Sequence, residues 1–275
     1  MLSETWQAFE GNTSEVLSQF PEPLMALARV ETAAFVFRKA FPSEHCKGLL
    51  NRFYDRGLLY DPRTKPDSRP RVDIGTSMGI YGSDRDGFFE HAAQSHNVFQ
   101  TLFEGYENPI QVMYETLSAL APGKKVMTAR EPDGRQHGPA IFRAYYDGVG
   151  HFPHFDSARK RDKLITYQIS RFKYQFSAVL CFQNSEVEAE RGEPFLYQCP
   201  WTPEIQPHLE QRTFHEFARE NDIPKLQVDL EPGDLYVFFT ENIHEVPHVS
   251  GETPRIVLAA FFAMSPDDDE VFVWS

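Results

Sequence analysis

The chain has 275 residues, of which 40 are acidic and 27 basic, and the resulting formal charge of −13 repels nucleic-acid backbones and anionic membrane surfaces. Its length allows one large domain with a sizeable core, while Cys46, Cys181 and Cys199 are too few and too scattered for a disulfide framework or a cysteine-rich zinc site. Met1-Leu-Ser-Glu-Thr-Trp6 carries no basic or apolar leader and no apolar stretch reaches membrane-spanning length. A cytoplasmic protein acting on small molecules is therefore expected, without nucleic-acid or membrane partners and with a homodimer left open.

Residues 33–39 read as a strand, and Ser43 as the cap of a helix from Glu44 to Arg56. Residues 61–86, rich in Pro, Gly, Arg and Asp, read as a long irregular lid. Helical patterns follow near 87–104 and 107–120, the second ended by Ala121-Pro122-Gly123. From Ile141 onward the texture changes to short β-type runs at 141–147, 164–169, 174–182, 194–198, 226–230, 235–239 and 255–262, with a single helical interruption near 203–220. This pattern predicts an α+β fold with a predominantly β core. A mostly helical part, 1–140, leads into a jelly roll (double-stranded β-helix), 141–275, with N-terminal and inserted helices, and the whole of 1–275 forms a single domain.

The run His244-Glu-Val-Pro-His248 spells the H-E-x-x-H signature of a zinc metalloprotease, which requires a helix to bring both imidazoles to one face. Pro247 breaks that helix, Leu235–Phe239 upstream reads as a buried strand, and Ser250-Gly-Glu-Thr-Pro254 downstream is turn chemistry. The five letters therefore fall on a strand end and loop, and the protease reading is set aside.

Within the strand-rich region stands His151-Phe-Pro-His154-Phe-Asp156. Residues i and i+2 of a strand share a face, so His154 and Asp156 can aim an imidazole nitrogen and a carboxylate oxygen at one point. A jelly roll can bring His244 alongside as third ligand. Two His and one carboxylate on one face of an octahedron form the facial triad of non-haem Fe(II) oxygenases, leaving room for a chelating 2-oxo acid and O2. Arg255, at the start of the next buried run, suits the distal carboxylate of 2-oxoglutarate because its planar fork meets carboxylates bidentately. Tyr145 and Arg143 are further candidates for binding this cosubstrate, with a packing role for Tyr145 equally open. His151 is expected on the opposite strand face and His248 in a loop near the site. Arg159, Arg161 and Lys163 form a basic cluster that reads either as solvated surface or as the mouth of a site for an anion.

His154-x-Asp156, His244 and Arg255, with Pro232-Gly-Asp-Leu235 ahead of the distal His, resemble the Fe(II)/2-oxoglutarate-dependent oxygenases. Arg143-Ala-Tyr-Tyr-Asp-Gly148, the run from His244 to Arg255 and the C-terminal Val271-Phe-Val-Trp-Ser275 are similar to one branch. That branch comprises freestanding alkaloid halogenases of the hapalindole and welwitindolinone type and N-acyl amino acid hydroxylases of the N-succinyl-leucine type. The resemblance implies an Fe(II)/2-oxoglutarate dioxygenase whose metal ligands and catalytic residues are His154, Asp156 and His244. It also places the lid over the iron, making Gly79 and Arg85 on the lid, together with Arg161, candidates for binding a carboxylated substrate such as an N-acyl amino acid. The halogenases have Gly where Asp156 stands, so hydroxylation is implied. The alternatives are oxidative tailoring of an alkaloid or other secondary metabolite and, in another class, a non-enzymatic cupin-like metal-binding jelly roll, which would need the triad without Arg255.

Overall fold

A computed structural model describes residues 6–65, 69–187 and 190–275. Its centre is a jelly roll of two sheets whose strands carry two different faces. In the long strands β7 (Tyr174–Gln183) and β12 (Arg255–Met264) and in β10 (Leu235–Phe239), alternate residues such as Phe176, Leu180, Val237, Leu258 and Phe262 point into one large core. The intervening Val179, Tyr236, Phe238, Val257 and Ala259 point the other way, between the sheets. Both faces are covered, which is why these strands read as unbroken apolar runs.

The larger sheet runs, in order, β1 (Phe9–Glu10), β2 (Phe35–Phe37), β10, β7, β12, β13 (Glu270–Trp274) and β4 (Lys125–Thr128), with β5 (Ile141–Tyr145) on the first half of β12 and β3 (Arg71–Ile74) on β5. The smaller sheet runs β6-β11-β8-β9, formed by His151–His154, Asn242–Val246, Phe195–Pro200 and Lys225–Gln227. Helices α3 (Ser43–Asp55), α5 (Arg85–Leu102) and α6 (Pro109–Leu120) back the larger sheet through Leu49, Phe53, Phe99, Leu102, Met113 and Leu117. The start of α6 is well defined: Pro109 sits in its first turn, and the Asn108 side chain accepts from the N–H groups of Ile110 and Gln111.

The amino-terminal part does more than pack on the jelly roll, because β2 (Phe35–Phe37) pairs antiparallel with β10, β3 with β5, and β4 (Lys125–Thr128) parallel with β13 (Glu270–Trp274). The turn before β10 is fixed by chemistry already visible in Pro232-Gly233-Asp234. Gly233 has φ of 100° and a Cβ there would lie 2.2 Å from the Phe41 carbonyl oxygen. Buried Asp234 accepts from Lys39 N–H, Glu231 N–H and Arg38.

Several local expectations change. Ser43 is the first residue of α3 and Pro42 occupies the cap position, without a side-chain cap. Residues 164–169 form no strand; two 3-10 turns, Asp162–Leu164 and Gln168–Arg171, flank them, and Ile165 is 61% exposed. The expected irregular lid contains β3 and the short helix α4 (Met78–Tyr81); its residues 66–68 lie outside the described residues. The helical stretch near 203–220 is two helices, α7 (Gln206–Glu210) and α8 (Phe214–Glu220). Among the described residues no helix is long and apolar enough to cross a membrane.

Candidate active site

Residues His154, Asp156 and His244 converge between the sheets, each offering one ligand atom, and these atoms all lie within 4.8 Å of one another. The convergence follows from pairing: β11 lies antiparallel to β6, with His244 directly opposite His154. Asp156 lies just beyond β6, where its N–H donates to the Thr240 carbonyl at 2.9 Å and the Thr240 hydroxyl donates back to its carbonyl at 2.8 Å.

Each imidazole has a defined tautomer. Nδ1 of His154 lies 2.7 Å from the Phe152 carbonyl and Nδ1 of His244 lies 2.9 Å from the Asn242 carbonyl, so both nitrogens donate. Both Nε2 lone pairs are left for an ion, the arrangement by which backbone carbonyls orient metal-binding histidines. Burial, reinforced by His244, pushes His154 down to about 4, which keeps it neutral. Burial alone would raise the Asp156 carboxyl; contact with His244 and the fields of His154 and Arg161 outweigh it and hold the group ionised, well below the usual carboxylate range. Asp156 Oδ2 stands 3.6 Å from His154 Nε2 and 3.8 Å from His244 Nε2. Two imidazoles and one carboxylate fit a divalent iron ion.

The rest of the H-E-x-x-H letters are now assigned. Glu245 faces away from His244, accepting from the Tyr197 hydroxyl at 2.6 Å and from His215 Nε2 at 2.9 Å. His248 is exposed and packs edge-on to Phe152, outside the ligand group. His151 departs from expectation. Between the pairs His244/His154 and Val246/His151, β6 has one residue more than β11, and this bulge turns His151 into the cavity, where its ring centre is 5.5 Å from that of His154. Its Nε2 accepts from Arg71 at 2.9 Å, consistent with a pKa pushed down to about 3 by burial and by His154.

A cavity of about 380 Å³ adjoins the three ligands. Arg71, Arg143 and Arg255 line one part of it, and Met78, Leu164, Phe261 and Trp274 another. Arg71 is neutralised by Asp73 at 2.7 Å. Arg255, only 2% exposed and opposite Tyr145 in the sheet, has a buried Nε without a hydrogen-bond partner, and the same holds for Nε of Arg143. A buried guanidinium nitrogen left unpaired is costly. Arg255 nevertheless lines the cavity, where its guanidinium can meet a carboxylate, so the residues present fit 2-oxoglutarate as well as iron.

The residues expected to touch substrate are placed less uniformly. Gly79 and Arg161 line the cavity, but Arg161 donates to Asp156 Oδ1 at 2.6 Å. Arg85 is not among the lining residues; it donates to buried Glu131 at 2.7 Å and lies over the Tyr167 ring at 4.5 Å. Both guanidinium groups are paired with carboxylates of the chain, where a two-arginine clamp on substrate was expected. Lys163 donates to the Gly79 carbonyl, and neither Lys163 nor Arg159 lines the cavity. The Thr240 tether and the Arg71–His151 contact were not foreseen, since both join segments remote in sequence.

The chain matches the family model described as carrier-protein-independent halogenase WelO5 over residues 10–275. No curated protein matches the sequence. Among solved structures it is similar to an N-substituted L-amino acid dioxygenase from Burkholderia ambifaria AMMD, also solved in complex with alpha-KG, at 16% identity and TM-score 0.61 over 92% of this chain and 90% of that one. It is also similar to HygX from Streptomyces hygroscopicus with nickel and 2-oxoglutarate bound, at 12% identity and TM-score 0.54 over 94% and 90%. These two likenesses establish the shared fold.

Proposed function

The chain belongs to the carrier-protein-independent halogenase WelO5 family, within the Fe(II)/2-oxoglutarate-dependent oxygenases, and from that footing we propose that it is a hydroxylase of an unactivated C–H bond in a small carboxylated molecule. The observation that carries this reading is Asp156. Its Oδ2 faces both imidazole Nε2 atoms, where the halogenases of the family have no side chain, and it fills the position that halide would need.

In this reading His154, Asp156 and His244 hold the iron and Arg255 holds the distal carboxylate of 2-oxoglutarate, with Tyr145 and Arg143 beside it on β5. Iron, 2-oxoglutarate and O2 together supply the oxidising power for hydroxylation and leave succinate and carbon dioxide. The chain's part is to bind, orient and exclude water. The Phe238 ring packs edge-on to His244 at 5.0 Å, and Val179, Val257 and Ala259 make a dry floor that favours the apolar part of a substrate. Arg255 and Arg143 both line the cavity, each with a buried Nε that has no hydrogen-bond partner among the described residues, and two guanidinium groups there support a substrate with a carboxylate of its own, such as an N-acyl (N-succinyl) amino acid. The apolar end formed by Met78, Leu164, Phe261 and Trp274 favours a second reading, oxidative tailoring of an alkaloid or another secondary metabolite.

Anaerobic addition of Fe(II) and 2-oxoglutarate should produce the visible band of a chelated 2-oxo acid, and a panel of N-acyl amino acids and alkaloids should separate the substrate readings by succinate release. No band would refute the cofactor assignment. Release stimulated by alkaloids alone would replace the carboxylated substrate.

A further inference from the structure

We propose that Arg161 is a positioning residue for Asp156, fixing the carboxylate so that it presents a single oxygen to the metal. The inference rests on the reading of His154, Asp156 and His244 as the metal site and adds a role that neither the triad nor the cosubstrate requires.

Asp156 lies outside regular structure, and the Thr240 bonds hold its backbone but not the rotation of its side chain. Arg161 Nη2 supplies what is missing: it donates to Asp156 Oδ1 at 2.6 Å and also to the Phe155 carbonyl at 3.2 Å. With Oδ1 occupied, Oδ2 is the oxygen left facing the two imidazoles.

The Arg161 backbone is itself held from behind. The Arg161 carbonyl accepts from Leu164 N–H at 2.8 Å at the start of a 3-10 turn, and Leu164 is buried against Met78, Ala158 and Tyr167. Two more tethers join the same segment to the turn that leads into His244: Ser157 donates to Glu241 Oε1 at 2.9 Å and Lys160 donates to Glu241 Oε2. The stretch from Asp156 to Arg161 is therefore tied to the turn that precedes β11, and Arg161 is the part that reaches the ligand's free oxygen.

A bystander and a positioning residue differ in the sign of their effect. A cation beside a dication repels it, so removing a bystander arginine should tighten metal binding. Removing an arginine that orients the ligand should weaken it, by about 10–100-fold for an outer partner of a metal ligand. The test uses Co(II) alone as probe, read by competition titration and by its visible ligand-field spectrum on the full chain.

Arg161→Met should weaken Co(II) binding about 10–100-fold and alter the spectrum, with the metal-free melting temperature unchanged. Arg161→Gln, which keeps a donor for Oδ1 without the charge, should recover part of the affinity. Binding as tight as wild type, or tighter, with the wild-type spectrum in both variants would overturn the proposal. So would intact Co(II) binding accompanied by a raised substrate KM, which would return Arg161 to a substrate-anchoring role. If Arg161→Met does not fold, Arg161→Gln decides: Co(II) binding weaker than wild type with a changed spectrum supports positioning, and binding as tight as wild type or tighter with the wild-type spectrum overturns it. Absence of Co(II) binding to the wild-type protein would instead refute the metal site itself.

Discussion

Because β11 alternates, His244 turns its Nε2 toward Asp156 while its neighbour Glu245 is spent on Tyr197 and His215, so adjacent letters of the same five-residue run have unrelated tasks. His154→Ala, Asp156→Ala and His244→Ala should each abolish hydroxylation, and the two histidine variants should also lose iron, whereas exposed His248→Ala should keep it; metal analysis of the variants checks this. Arg255→Ala should raise the KM for 2-oxoglutarate by the ~2–5 kcal/mol typical of truncating a desolvated charge pair, while iron content stays near wild type. An unchanged KM would pass the role to Arg143. The convergence of His154, Asp156 and His244 and the burial of Arg255 beside them were legible, because strand periodicity and placement in an apolar run constrain where a side chain points. The arginines were not. Whether Arg85 faces substrate or Glu131 depends on a contact between residues 85 and 131 that no local pattern encodes, and His151 reaches the cavity only through a bulge.

Elements buried on both faces, β7, β10 and β12, could be read from their apolar runs, whereas β11 escaped because its Asn242, His244 and Glu245 are polar yet buried. The segment 129–137 illustrates a further contact invisible to periodicity. There, Glu131 accepts from Arg85, from Gln168 N–H at 3.1 Å and from His137 Nε2 at 2.9 Å, tying α5 and the 3-10 turn at Gln168 to the sheet. Burial lowers the His137 pKa from its ordinary 6.5, so this histidine is neutral in the folded protein. Its folded-state value is depressed, hence the unfolded chain binds the extra proton first; the contribution to stability is complete above 6.5 and is lost as pH falls below it. Melting temperature should therefore begin to drop on the acid side of 6.5, and His137→Gln should flatten that first part of the decline. A variant with the same pH profile as wild type would remove His137 as the cause.

Across the whole molecule, the division foreseen between a helical first part and a jelly roll is crossed by three strand pairings, β2 on β10, β3 on β5 and β4 on β13, and by one core that extends from Val16 to Val273. Unfolding is expected as one transition, with helix signal and aromatic fluorescence coinciding in a denaturant titration; separate midpoints would mean two domains. The order of apolar runs conveyed the jelly roll but not these pairings, since β3 and β4 are only 4 residues each. The guanidinium groups of Arg143 and Arg255, each with a buried Nε that has no hydrogen-bond partner among the described residues, line a cavity inside a chain whose formal charge is −13. A dianion approaching from solution meets repulsion first and attraction only at short range. Salt screens interactions beyond about 10 Å at 0.1 M and reaches buried charges far less. The association rate of 2-oxoglutarate with the iron-loaded protein should therefore climb as ionic strength increases, the reverse of ordinary electrostatic steering. Stopped-flow binding at low and moderate salt would reveal it, and a falling rate would place the dominant field at the cavity mouth.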